Sequence, residues 1–142
     1  MSTLTLERTF PHPPEHVFSY LTEPKNLLKW WRPESMSMKE HNLDFSRPGP
    51  WSSTLINAEG GLHKMSGNVV AVDPPRSVEF TWGWHDDADQ RGAESRVRFE
   101  VHPAKGGSLF RLIHSGLPSD ESAQNHGKGW TSTLKKLERL LS

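Results

Sequence analysis

Apolar and polar residues alternate along most of this chain, and the period changes from two to three-and-four at only two places. From Thr3 to Phe10, Leu4, Leu6 and Phe10 hold one side and Thr5, Glu7 and Thr9 the other, as in a half-buried strand. Met36 and Met38 share a phase that passes to His41, Leu43 and Phe45, so a β-bulge or bend is predicted at Lys39-Glu40. Further strands read from Trp51 to Leu55, from Met65 to Val72, from Val97 to Val101 and from Leu109 to Ser115. The clearest runs from Ser77 to His85, with Val78, Phe80, Trp82 and Trp84 on one face. Turns punctuate them at Arg47-Pro48-Gly49-Pro50, Glu59-Gly60-Gly61, Asp73-Pro74-Pro75 and Lys105-Gly106-Gly107. The polar stretch from His85 to Glu94 reads as an exposed hairpin loop.

The first change of period follows Pro11, Pro13 and Pro14. Val17, Phe18 and Leu21 give a short helical face, with Pro14 suited to its first turn. A second short helix is predicted from Thr22-Glu23-Pro24 through Leu27, Leu28, Trp30 and Trp31, stopped by Pro33. The other change covers Ser119 to Ser142, where Ala123, Gly127, Trp130, Leu134, Leu137 and Leu141 recur on one helical face. Ser119 is placed to cap that helix, and Asp120 and Glu121 set negative charge against its dipole. Its apolar face runs from small residues through Trp130 to leucines. Such a gradient suits a helix that seals a core at one end and borders a cavity at the other; close approach of a strand to the small residues explains it equally. The order is strand, two short helices, about six strands, then one long helix. That predicts an α+β domain with an antiparallel sheet covered by the terminal helix.

Composition narrows the classes. A chain of 142 residues makes one domain with a real core, spanning 1–142. Its 17 basic and 17 acidic side chains cancel, which argues against nucleic acid as a partner. The chain has no Cys, so disulfides and thiolate chemistry are excluded. No apolar run approaches a membrane span and no signal-peptide order begins the chain, so the expectation is a soluble cytoplasmic protein with no membrane partner. The 6 Trp against 1 Tyr stand out, because indoles suit the walls of cores and pockets alike.

Several stretches together resemble a known family: Leu28-Lys29-Trp30-Trp31-Arg32-Pro33, Gly67 to Pro75, Val78-Glu79-Phe80-Thr81-Trp82, Glu94 to Phe99, His114-Ser115-Gly116-Leu117-Pro118, and the His-x-x-Gly-Trp-x-x-x-Leu-x-x-Leu pattern from His126. In this order they are similar to the bacterial relatives of the activator of heat-shock protein ninety ATPase, within the START-like (SRPBCC, Bet v allergen-like) superfamily. The resemblance implies a helix-grip fold, a curved antiparallel sheet with two short helices wrapped around a long C-terminal helix. It also implies a largely apolar cavity between sheet and helix. Its members include lipid and hormone carriers, aromatase/cyclase enzymes and co-chaperone domains, so fold does not choose among functions.

The candidate site gathers at the end of the sheet. His114 shares its strand phase with Phe110 and Leu112, and His126 lies one turn before Trp130; with Trp82 they form a cluster. Two imidazoles in an apolar pocket would have lowered pKa values and could transfer protons or bind a ligand; equally, each could fix a strand-to-helix corner through backbone hydrogen bonds. Trp30 and Trp31, beside Met36 and Met38, suit an adaptable apolar entrance, although simple packing of a short helix uses the same residues. Gly127, with Ala123, is expected to leave the void. His85-Asp86-Asp87-Ala88-Asp89 lacks the spacing of a calcium loop, and the other histidines lack zinc spacing, so neither metal nor cofactor is expected.

Three functions follow in order of preference. The first is binding of a small apolar or aromatic molecule, as a carrier or sensor, using Trp30, Trp31, Met36, Met65, Trp82, His114, His126, Gly127 and Trp130. The second is a cyclase- or hydrolase-type enzyme using His114, His126 and Arg111. The third is a chaperone co-regulator, placed last because no segment before Met1 corresponds to the co-chaperone's other domain. Monomer and homodimer both remain open.

Overall fold

The computed structural model describes residues 1–142. Its elements are β1 (Ser2–Phe10), α1 (Pro14–Thr22), α2 (Pro24–Leu27), β2 (Ser37–Asn42), β3 (Gly49–Ile56), β4 (Leu62–Asp73), β5 (Ser77–Trp84), β6 (Ser95–Ala104), β7 (Gly107–Leu117) and α3 (Asp120–Leu140). The strands form one antiparallel seven-stranded sheet in the order β1-β7-β6-β5-β4-β3-β2. Strands joined by tight turns pair with their neighbours, and only β1 must travel, closing beside β7. The pairing of β2 with β3 shifts between Met38 and Glu40, where the change of phase predicted a bulge.

Alternation sets which residues enter the core. Along β7, Phe110, Leu112 and His114 are buried while Arg111 between them points outward. On the outer side Arg111 donates from Nε to Glu7 at 2.7 Å and faces Glu100. The enzyme reading's Arg111 is therefore on the wrong face of the sheet to reach any interior group. Phe80, Phe99, Phe110, Leu134 and Leu137 are fully buried where α3 crosses the sheet. No helix is long and apolar enough to cross a membrane.

Two predicted elements end early. α2 stops at Leu27, and Trp30 and Trp31 sit in the turn that follows, their backbone N–H groups both reaching the Leu27 carbonyl. β2 ends at Asn42, because the chain then leaves the sheet edge and the Phe45 N–H bonds the Thr22 carbonyl at 2.9 Å. Leu43 and Phe45 are buried all the same, and the Phe45 ring turns into the core, stacked on Phe80 at 4.3 Å and edge-on to Trp31 and Trp51.

Glycine is required where Trp51 crosses β4. Trp51 on β3 reaches across Gly67 on β4 to donate its indole N–H to the Thr81 carbonyl on β5 at 3.0 Å. A Cβ at Gly67 would stand 1.9 Å from that carbonyl oxygen, which no rotamer could relieve.

Candidate functional site

Ser119 caps α3 as its sequence suggests, its hydroxyl accepting the Ser122 N–H at 3.1 Å. This fixes where the helix starts, and so which side chains of its first half meet the sheet. His126, Gly129, Trp130 and Thr133 recur at spacings of three and four and turn toward the open end of the sheet. The loop between α2 and β2 closes over them. It is tied to α3 by the Glu34 N–H, which donates to Ser132 Oγ at 3.2 Å, and by an ion pair between Glu34 and Arg139.

Between these parts lies a cavity of about 330 Å3. Trp31, Arg32, Pro33 and Met36 of the loop form one wall, and Leu55, Met65, Trp82 and Trp84 of β3 to β5 form another. Asn125, His126, Gly129, Trp130 and Thr133 of α3 complete it. The indoles interlock: Trp82 lies 5.7 Å from Trp31 and 5.5 Å from Trp130, ring centre to ring centre.

The two histidines sit behind and beside this wall, and their tautomers follow from their partners. An indole N–H can only donate, so Trp130 Nε1, 3.1 Å from His114 Nδ1, makes that nitrogen an acceptor. The His114 proton is then on Nε2, donated to Ser95 Oγ at 2.7 Å, and Ser95 is oriented toward the Trp82 carbonyl. Burial, with His126 nearby, pushes the His114 pKa down to about 3. The same argument fixes His126: its Nε2 accepts the Trp84 indole N–H at 3.0 Å, so Nδ1 carries the proton and donates to the Ser122 carbonyl at 2.9 Å. The rings stand 4.8 Å apart, each with both nitrogens engaged.

One buried donor in the wall is unspent. Trp82 is 6% exposed, and its Nε1–H is buried with no acceptor in the protein. The other interior indoles are satisfied, Trp31 on Ser53 Oγ at 3.1 Å and Trp30 on the Tyr20 carbonyl at 2.7 Å. Leaving a buried donor unmade costs about 1–3 kcal/mol, which the surrounding packing of the wall offsets.

Of the residues singled out from the sequence, Trp31, Met36, Met65, Trp82, His126 and Trp130 line the cavity. His114 stands one layer behind, holding Trp130. Trp30 is elsewhere: it is fully buried in the packed end against Phe99, because adjacent positions in the turn point different ways. Gly127 is elsewhere too. A Cβ there would meet Leu4 Cδ1 of β1 at 3.3 Å, so this face of α3 packs on a strand and the void lies on the next face round, at Gly129. Arg32, Trp84 and Gly129 escaped the sequence reading. The second stripe of α3, from His126 to Thr133, was the signal that could have found Gly129.

The sequence His85-Asp86-Asp87-Ala88-Asp89 folds into its own loop. Asp86 accepts the backbone N–H groups of Ala88 and Gln90, and Asp89 pairs with His85 at 2.8 Å and Lys64 at 3.2 Å.

Comparison with known proteins agrees with this architecture. The family described as Activator of Hsp90 ATPase homolog 1-like protein matches residues 11–142. The crystal structure of the AHSA1 protein from Silicibacter pomeroyi is 48% identical, with a TM-score of 0.95 over 99% of this chain and 97% of that one. A protein from Chromobacterium violaceum shares the fold at 24% identity, with a TM-score of 0.86 over 99% of this chain and 98% of its own. No curated protein matches the sequence.

Proposed function

The chain belongs to the Activator of Hsp90 ATPase homolog 1-like family, and we propose that it acts there by binding a small hydrophobic or aromatic molecule in the cavity between the sheet and α3. The observation that carries this reading is the wall itself. Trp31, Trp82 and Trp130, with Met36 and Met65, surround a space of about 330 Å3. Indole faces suit flat ligands, and thioethers adapt to their outline. Burying about 200 Å2 of ligand apolar surface supplies roughly 5 kcal/mol before ordering costs. Micromolar affinity therefore needs close fit and at least one hydrogen bond.

The histidines support binding over proton transfer. His114 is neutral through the physiological range and spends both nitrogens within the wall, and His126 does the same on Trp84 and Ser122. Either would have to break a hydrogen bond before exchanging a proton with a ligand.

Calorimetric titration with 2-naphthalenemethanol, a flat neutral probe, tests the reading. Saturable binding is expected in the wild type and its loss in Gly129→Leu, whose side chain would occupy the cavity while the thermal midpoint is kept. Failure of the wild type to bind this and other apolar probes, or binding undisturbed by Gly129→Leu, overturns it.

A further inference from the structure

Thirteen residues line the cavity and none is acidic; Arg32 is the only one that carries a full charge. An arginine beside an apolar space is ordinarily neutralised by a carboxylate, because an unpaired charge near low-dielectric surroundings is costly. Here it is not. Arg32 is half-buried, its Nε–H donates to the Met36 carbonyl at 3.0 Å, and its two terminal nitrogens meet no acceptor in the protein. The nearest loop carboxylate in sequence, Glu34, is committed to Arg139 instead. Every ion pair of the chain is formed without Arg32.

The Nε bond has a second effect. It ties the guanidinium at Nε to the loop that forms the cavity wall and leaves the edge with its terminal nitrogens free to take a partner. A planar fork held in this way matches a carboxylate, which it can grip through two parallel bonds. The surroundings are also short of negative charge. Lys136, on α3, has its ammonium pKa lowered by burial and then by Arg32, with only Glu34 acting the other way before Arg139 lowers it further.

From this geometry, and resting on the binding reading above, we infer that the cavity takes an anionic amphiphile: an aromatic or aliphatic acid whose apolar body lies among Trp31, Trp82 and Trp130 and whose carboxylate is held by the terminal nitrogens of Arg32. The apolar body supplies affinity, and Arg32 supplies the sign of charge that is admitted. A neutral analogue of the same shape still fits but leaves the guanidinium without its partner. A cationic analogue of that shape meets Arg32 and Lys136 with like charge.

The experiment compares 2-naphthoate, 2-naphthalenemethanol and 2-naphthylmethylammonium by calorimetry at one ionic strength. The ring is constant, so differences report the head group. The wild type is expected to bind 2-naphthoate about tenfold tighter than the alcohol, the size of one charge-assisted hydrogen-bonded contact, and the ammonium weakest of the three. Arg32→Gln should bring the acid-to-alcohol ratio to about one, whereas Arg32→Lys, which keeps the charge but not the fork, should retain part of it. Added salt should lower the ratio in the wild type and leave it unchanged in Arg32→Gln. If the alcohol binds as tightly as the acid, the charge preference is overturned and the apolar cavity stands. If the acid is preferred equally by Arg32→Gln, the assignment to Arg32 is overturned. Should none of the three bind to folded wild-type protein, the binding reading itself falls, and this inference with it.

Discussion

Trp30 and Trp31 are neighbours in the chain, their rings meet edge to face at 6.0 Å within one core, and only Trp31 borders the cavity. Trp30 closes the end where α1, α2 and the leucine half of α3 meet the sheet, among side chains such as Phe99, Leu21 and Leu27 that have no polar atoms to place. Trp31 faces the other end, where indole, imidazole and thioether groups stand around a space they do not fill. The packed end is made of Phe and Leu, which have one good way to interdigitate. The open end is made of rings with polar tips, and all of the indole tips but that of Trp82 are directed at a named partner: Trp31 to Ser53, Trp84 to His126, Trp130 to His114. Directed hydrogen bonds hold a wall in place without requiring the atoms behind it to be filled in. That is how one helix and one sheet can enclose both a core and a cavity.

The contrast breaks if truncation costs the same at both ends. Trp30→Ala should lower stability by about 3–5 kcal/mol, the range for removing a large buried aromatic, whereas Met36→Ala on the half-exposed cavity wall should cost less than about 2 kcal/mol. Denaturant midpoints of the two variants decide it; equal losses would mean that the open end is close-packed.

The hydrogen-bonded wall can be sharpened by acid. His114 stays neutral in the folded state down to about pH 3, while an unfolded chain protonates it near 6.5. Between those values the unfolded state binds more protons, so this group's contribution to stability is complete above about pH 6.5 and is lost as pH falls. From pH 7 to 4.5 the loss due to His114 should be about 2–3 kcal/mol. His114→Gln should be less stable at neutral pH and should shed that part of the pH dependence, as followed by urea denaturation at several pH values. A wild-type and a variant curve of the same slope would show that His114 titrates freely.

The smallest effect separates the two faces of α3. Gly129→Ala should gain up to about 1 kcal/mol from helix propensity, since its Cβ enters open space. Gly127→Ala should gain less, because its Cβ presses on Leu4 at 3.3 Å. Thermal midpoints in the reverse order would place the void against β1.

The helix-grip architecture was legible because each of its parts is a local pattern. Alternation marked the strands, the phase slip at Lys39-Glu40 marked a bulge, and Ser119 with Asp120 marked the start of the long helix. Trp31, Met36, Met65, Trp82, His126 and Trp130 could be drawn toward one site from their phases and from resemblance. Position along a helix, however, says which residues share a face and not which face the sheet leaves uncovered. Gly127 and Gly129 look alike in sequence, yet one packs on Leu4 and the other borders the void, because the curvature of the sheet brings β1 close to α3 on one side only. Trp30 and Trp31 were likewise separable only once α2 ended at Leu27 and the turn brought Trp31 alone to the cavity. Phe45 is tied by its backbone to Thr22 and buried on Phe80, and Arg32 lines the cavity with its Nε held by Met36. These are contacts between segments that carry no mark of one another, so periodicity could announce the elements, and only their packing could decide what lies between them.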